Sequence, residues 1–109
     1  HRVDRRQRQM CIRDSINSLP EAEKIDGYTV LQHMEKGEFD KILFKRWEKK
    51  VYEVYFQKNN RVFYITVDKE NIYLLHSCRK QKNKTEKKDA NIVRKRAKEL
   101  GNMLGRKFI

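Results

Sequence analysis

The chain has 109 residues, 38% of them hydrophobic and 39% charged, with 27 Lys and Arg against 15 Asp and Glu for a net charge of +12. That length allows one small domain with a single modest core, and 10% aromatic residues argue against wholesale disorder. No apolar run approaches the ~20 residues needed to cross a bilayer, and no signal-peptide core is present, so the reading is a soluble cytoplasmic protein with no membrane partner.

Charge is unevenly placed. Residues 1–13 hold five Arg against Asp4, residues 14–78 hold ten Lys and Arg against eleven acids, and residues 79–109 hold twelve against three. A cationic C-terminal third favours an anionic partner, most often nucleic acid. A solvated helix face or an acidic protein partner is the plainer alternative. Cys11 and Cys78 make neither a disulfide framework nor a zinc cluster, and Cys78 reads as a small buried hydrophobe in a reducing compartment.

The opening HRVDRRQRQMCIRDS shows no helical or strand period. It is similar to a translated sequencing-adapter remnant, so residues 1–13 are set aside as non-native; a basic nucleic-acid-binding arm is the other reading. On the first reading the authentic N-terminus is missing, and a first strand can be missing with it. Residues 14–109 then form the domain. Asp14 or Ser15 can cap a helical turn running to Leu19, and Pro20 suits the first turn of a second helix. Residues 21–36 have helical composition, with Ile25, Tyr28, Leu31 and Met34 as expected core contacts, Gly27 as a weak point and Gly37 as the stop. Residues 38–50 read as a mixed connector anchored by Phe39, Ile42, Leu43, Phe44 and Trp47.

Three strands follow, near 51–57, 61–68 and 71–78, each rich in β-branched and aromatic residues. Lys58-Asn59-Asn60 and Lys69-Glu70 separate them, and Asn tolerates the left-handed conformation of tight turns. Period-two alternation puts Val51, Glu53 and Tyr55 on one face of the first strand, and Arg61, Phe63, Ile65 and Val67 on one face of the second. Residues 79–84 form a basic loop. Thr85 can cap a final helix whose apolar stripe is Ala90, Val93, Ala97, Leu100 and Leu104, with Lys87, Lys88, Arg94, Lys95 and Lys98 away from it. Gly101 and Gly105 mark a fraying end. The fold class is therefore α+β: an N-terminal helical hairpin packed on a small antiparallel β-meander, with a basic C-terminal helix.

The phrase LLHSCRKQKNKT, followed by KKDANIVRKRAKEL, resembles the HigB-like branch of the RelE/ParE toxin superfamily. Leu74, Leu75 and His76 match that family's phrase, as do Lys80, Lys84 and Thr85; Ser18 to Pro20, Gly37 and the RVFYI run from Arg61 sit where it has similar residues. The resemblance implies a compact RelE-like domain, the toxin of a type II toxin–antitoxin system held inactive by a cognate antitoxin protein. It further implies an endoribonuclease that cleaves mRNA on the ribosome and inhibits translation, whereas ParE members inhibit DNA gyrase. The chain carries Tyr55 where the family often has Arg, Cys78 for an aromatic, Gln81 for a Lys and Glu86 for Pro.

Metal-independent RNA cleavage uses the 2′-hydroxyl as nucleophile, so the site must take a proton, stabilise charge on phosphorus and protonate the leaving oxygen. Arg61 is the expected phosphate clamp, because a planar guanidinium holds two phosphate oxygens at once. Lys80 and then Lys84 are expected to stabilise charge or pass protons. Arg79, Lys82, Lys87 and Lys88 are read as RNA-binding cations, and Tyr55 as a ring on which a base can stack. His76 is a possible general base by its ordinary pKa, although strand parity with Ile72 and Leu74 also fits a satisfied core histidine. Glu53 can accept a proton or balance Arg61 across the hairpin. The structural alternatives are a hairpin-capping Arg61, solvated loop lysines and a half-buried strand tyrosine. His33 and His76 lack partners at ligand spacing, so no metal is expected. No Gly-rich phosphate loop or nucleophilic triad is present, and neither a cofactor nor a small-molecule substrate is expected. A non-catalytic RNA- or ribosome-binding domain and a gyrase-directed toxin are the competing functions.

Overall fold

Four antiparallel strands, β1 (Leu43–Glu48), β2 (Val51–Phe56), β3 (Asn60–Thr66) and β4 (Ile72–Arg79), lie side by side in chain order. Helices α1 (Arg5–Asn17) and α2 (Glu21–Glu35) precede them, and α3 (Lys87–Leu104) follows. The computed structural model describes residues 5–57, 59–68, 71–79 and 85–109. Alternation along the strands divides the apolar residues between two cores. Val54, Phe56, Val62, Tyr64 and Leu74 meet Ile12 and Ile16 of α1 and Val30, Leu31 and Met34 of α2. On the opposite side Val51, Phe63, Ile65 and Leu75 meet Val93, Ala97 and Leu100 of α3, together with Phe108. The sheet is thus covered by helices on both faces, and its α+β class is the expected one.

Segment 43–48, expected as connector, is the outer strand β1, paired from Leu43 opposite Tyr55 to Glu48 opposite Val51. Its burial pattern hides the strand period: its first four residues are exposed and only Trp47 and Glu48 are half-buried. Period two is legible when one face is buried, and here neither is. The left-handed conformation in the β2–β3 turn falls on Gln57 (φ 49°) rather than on an asparagine; Asn60 already belongs to β3.

The opening segment is helical from Arg5, so Asp14 and Ser15 lie inside α1 instead of capping a short turn. Only Ile12 and Ile16 of this helix are buried, one pair at a spacing of four, which is too little to show as a period. Packing and polar contacts hold it: the Arg5 guanidinium lies 4.5 Å from the centre of the Tyr73 ring and donates to the Ile72 carbonyl at 2.6 Å. In α2 the buried positions are Gly27, Val30, Leu31 and Met34, while Ile25 is 55% exposed. Gly27 is there because α1 and the sheet approach closely.

The end of α3 does not fray. Gly105 adopts the left-handed conformation (φ 65°) that closes a helix C-terminus, and Arg106 N–H donates to Gly101 O at 2.9 Å. The chain then turns back. Phe108 is buried, its carbonyl accepts from Lys50 N–H at 3.1 Å, and Arg106 Nη1 donates to Val67 O at 2.9 Å. Leu104, expected in the apolar stripe, is 37% exposed instead because the returning tail fills that place.

Candidate nucleic-acid interface

α3 covers the sheet only in part, and the register shows what lies past its N-terminal end. One row across the sheet is Lys45, Glu53, Phe63 and His76; the next, toward the β2–β3 hairpin, is Leu43, Tyr55, Arg61 and Cys78. Rows on one face stand ~7 Å apart, two residues along each strand. Arg61 enters β3 half-buried, with Nη1 donating to the Asn60 carbonyl at 3.0 Å and its guanidinium 5.0 Å from the centre of the Tyr55 ring. A guanidinium over an aromatic face is attracted by the ring's electron-rich centre, which fixes its position. Glu53, one row in, is fully buried, and Lys45 Nζ stands 3.3 Å from its Oε1. The Lys45 side chain remains 56% exposed and its ammonium lies 6.0 Å from the same Tyr55 ring.

His76 is a satisfied, largely buried histidine, but on this α3 face and not on the α1–α2 side where strand parity with Ile72 and Leu74 put it. A bulge between Phe63 and Tyr64 on one strand and His76 and Leu74 on the other inserts Leu75 as an extra residue. Leu74 therefore belongs to the α1–α2 core, and His76 stacks against Phe63 on the α3 side, ring centres 6.5 Å apart. Its Nε2 lies 2.8 Å from Asp89 Oδ1 in the first turn of α3, and Arg96 Nη1 lies 3.4 Å from its Nδ1. Arginine can only donate, so Nδ1 accepts and Nε2–H donates to Asp89. Arg96 also donates to the Leu75 carbonyl at 2.7 Å. Burial, with the Arg8 charge adding to it, lowers the Arg96 pKa from its ordinary value. Folding does supply His76 with ligand-type neighbours: its donor atoms lie within 4.8 Å of those of Cys78 and Asp89. A metal-bound imidazole, however, donates its remaining N–H to an acceptor, and here Arg96, a donor, faces that nitrogen. The cluster's hydrogen bonds join β4 to α3.

At the start of α3, Glu86 takes the N-cap position without a side-chain bond. Thr85, expected to cap, uses its hydroxyl to accept from Trp47 Nε1 at 3.2 Å, which ties the entrance of α3 to β1. Trp47 in turn packs edge-on against Phe63 at 5.2 Å.

Residues 14–98 match the model of the phage derived protein Gp49-like family (DUF891), and the match opens within α1 and closes within α3. The chain belongs to the Gp49-like family. That family falls within the RelE/HigB-like toxin superfamily. No curated protein and no solved structure matches the chain.

Of the residues singled out in this Gp49-like sequence, Arg61, Tyr55 and Glu53 share one face of the sheet, and His76 flanks them in the Glu53 row. Arg79 lies on the other side, where its Nη2 donates to Glu23 of α2 at 2.8 Å beside Asn60 Nδ2, which donates to the same oxygen at 2.7 Å. Lys87 and Lys88 are exposed in the first turn of α3, Lys88 Nζ being 3.9 Å from Glu86 Oε2. Lys80, Lys82 and Lys84 lie outside the described residues. Lys45, Asp89 and Arg96 are the residues that sequence reasoning missed. For Lys45 the available signal was its alternation with Leu43 and Trp47; Asp89 and Arg96 contact His76 only through the tertiary fold.

Proposed function

We propose that this Gp49-like protein is the toxin of a type II toxin–antitoxin pair, of the HigB-like type, and that it cleaves mRNA on the ribosome without a metal. Its partners are then a cognate antitoxin, the ribosome and messenger RNA. The observation that carries the reading is Arg61: a strand-borne guanidinium beside Tyr55 on the α3 side of the sheet, in a chain with a strong excess of cations. Attack of a 2′-hydroxyl on phosphorus places extra negative charge on the non-bridging oxygens, and a fixed guanidinium stabilises that charge more than the ground state. Tyr55 offers a ring for an unstacked base. Lys80 and Lys84 are assigned charge stabilisation and proton transfer at the leaving oxygen. His76 is given no proton-transfer step, because both its nitrogens are engaged.

A second reading has its own support. Glu53 is fully buried and His76 is committed to Asp89 and Arg96, so neither of the sequence-derived bases faces a bound phosphate. A non-catalytic RNA- or ribosome-binding domain would need none. Induced expression, followed by mapping of transcript 5′ ends, separates the two. The nuclease reading expects growth arrest with new 5′ ends, both relieved by Arg61→Ala or Lys80→Ala in a folded protein. Arrest with intact transcripts, or harmless expression, overturns it.

A further inference from the structure

We infer that Lys45 is a second phosphate-binding cation of this face, held in place by Glu53; the inference rests on the reading of the face as RNA-binding. A carboxylate with no solvent exposure is costly unless a cation or strong donors satisfy it. Lys45 Nζ, 3.3 Å from Glu53 Oε1, contributes to that satisfaction while more than half of its side chain stays in solvent. An ordinary surface lysine must lose its rotamer freedom to grip a phosphate. Lys45 has already lost it to Glu53, so binding there carries a smaller entropic cost.

Position distinguishes it from the other cations. Lys45 and Arg61 approach the same Tyr55 ring, at 6.0 Å and 5.0 Å, from the strands on either side of β2. The pair thus brackets the aromatic surface on which a base can stack. Two other described cations are committed elsewhere: Arg79 pairs with Glu23 across the sheet, and Arg94 with Glu48 at 2.8 Å. The ligand class is a single-stranded RNA backbone, with Lys45 contacting a phosphate oxygen as a point charge and Arg61 as a fork.

The test is equilibrium binding of the full chain to a single-stranded RNA oligonucleotide across a salt series, with melting curves recorded alongside. Each lost phosphate contact reduces the magnitude of the slope of log K against log salt by ~0.7 on single strands. Lys45→Gln is expected to weaken binding and reduce the slope by about that amount, Arg61→Gln likewise, and Lys36→Gln, at the end of α2 on the opposite side, to leave it unchanged. Should Lys45→Gln fail to fold, Lys45→Met combined with Glu53→Gln removes both charges together, and the same slope change is expected. A Lys45 variant that melts lower but keeps the full slope overturns the inference, leaving Lys45 as a neutraliser of Glu53. Wild type that cleaves mRNA alongside such a variant leaves the nuclease reading standing. A slope change in Lys45→Gln with no cleavage by wild type supports Lys45 and sinks the nuclease reading. Wild type that does not bind RNA overturns the inference, and transcript mapping then decides the nuclease reading by itself.

Discussion

Gly27 of α2 faces Ile16 of α1 so closely that a β-carbon on Gly27 would stand 2.6 Å from Ile16 Cγ2, with Phe56 only 3.1 Å away on another side. Helix propensity alone would make Gly27→Ala stabilising by ~1 kcal/mol. The contact reverses the sign, because Ile16 is 2% exposed and has no room to retreat. We expect Gly27→Ala to destabilise by ~1–3 kcal/mol, the usual cost of overpacking, read as a lower urea midpoint at unchanged m-value.

The tail after α3 belongs to the second core. Phe108 is 2% exposed against Val93, Ala97 and Leu100. Phe108→Ala should cost ~3–5 kcal/mol, as truncation of buried aromatics does, and chemical denaturation will read it. If the tail merely frayed from the helix end, the substitution would be neutral.

The His76 pair gives a prediction that separates structure from chemistry. Asp89→Ala leaves a half-buried imidazole N–H without its acceptor and should cost ~1–3 kcal/mol. Under the proposed function, RNA cleavage by the folded fraction should survive both Asp89→Ala and His76→Gln, with an unaltered pH profile. A pH profile that changes shape in His76→Gln would restore His76 as the general base.

Acid stability has an identifiable contributor. The Arg94 hydrogen bonds, at 2.8 and 3.2 Å, and then the guanidinium charge, hold the Glu48 pKa below its ordinary 4.5. A carboxyl whose pKa is depressed in the folded state contributes stability that is present above 4.5 and lost as pH falls through the folded value. Melting temperature should therefore drop as pH is lowered below 4.5, and Glu48→Gln should flatten that part of the curve. The pair is partly exposed, so the effect is small and screened by salt. An identical pH dependence in Glu48→Gln would rule out this contribution.

Much of the fold was legible because its signals are local. The β2 and β3 faces followed from strict alternation, whereas the register, which parity does not set, puts Tyr55 and not Glu53 opposite Arg61. What escaped depended on partners distant in sequence. β1 has no buried face to give it a period, α1 is held by two isoleucines and an arginine reaching β4, and Ile25 looked like core until Gly27 took the contact. The site was partly legible for the same reason: Arg61 and Tyr55 come from one hairpin, whereas Lys45 comes from the unread strand and Asp89 from across the fold. His76 was assigned to the wrong side of the sheet because alternation was counted straight through residue 75.

That single extra residue makes β4 two half-strands out of step. Before it, Ile72 and Leu74 serve the α1–α2 side; after it, His76 and Cys78 take the α3 side and Arg79 turns to α2. The strand should accordingly tolerate changes of identity far better than changes of length. Deleting Leu75 itself would only restore strict alternation and keep His76, Cys78 and Arg79 on their present sides, whereas deleting Ser77 would carry Cys78 to the α1–α2 side and Arg79 to the α3 side.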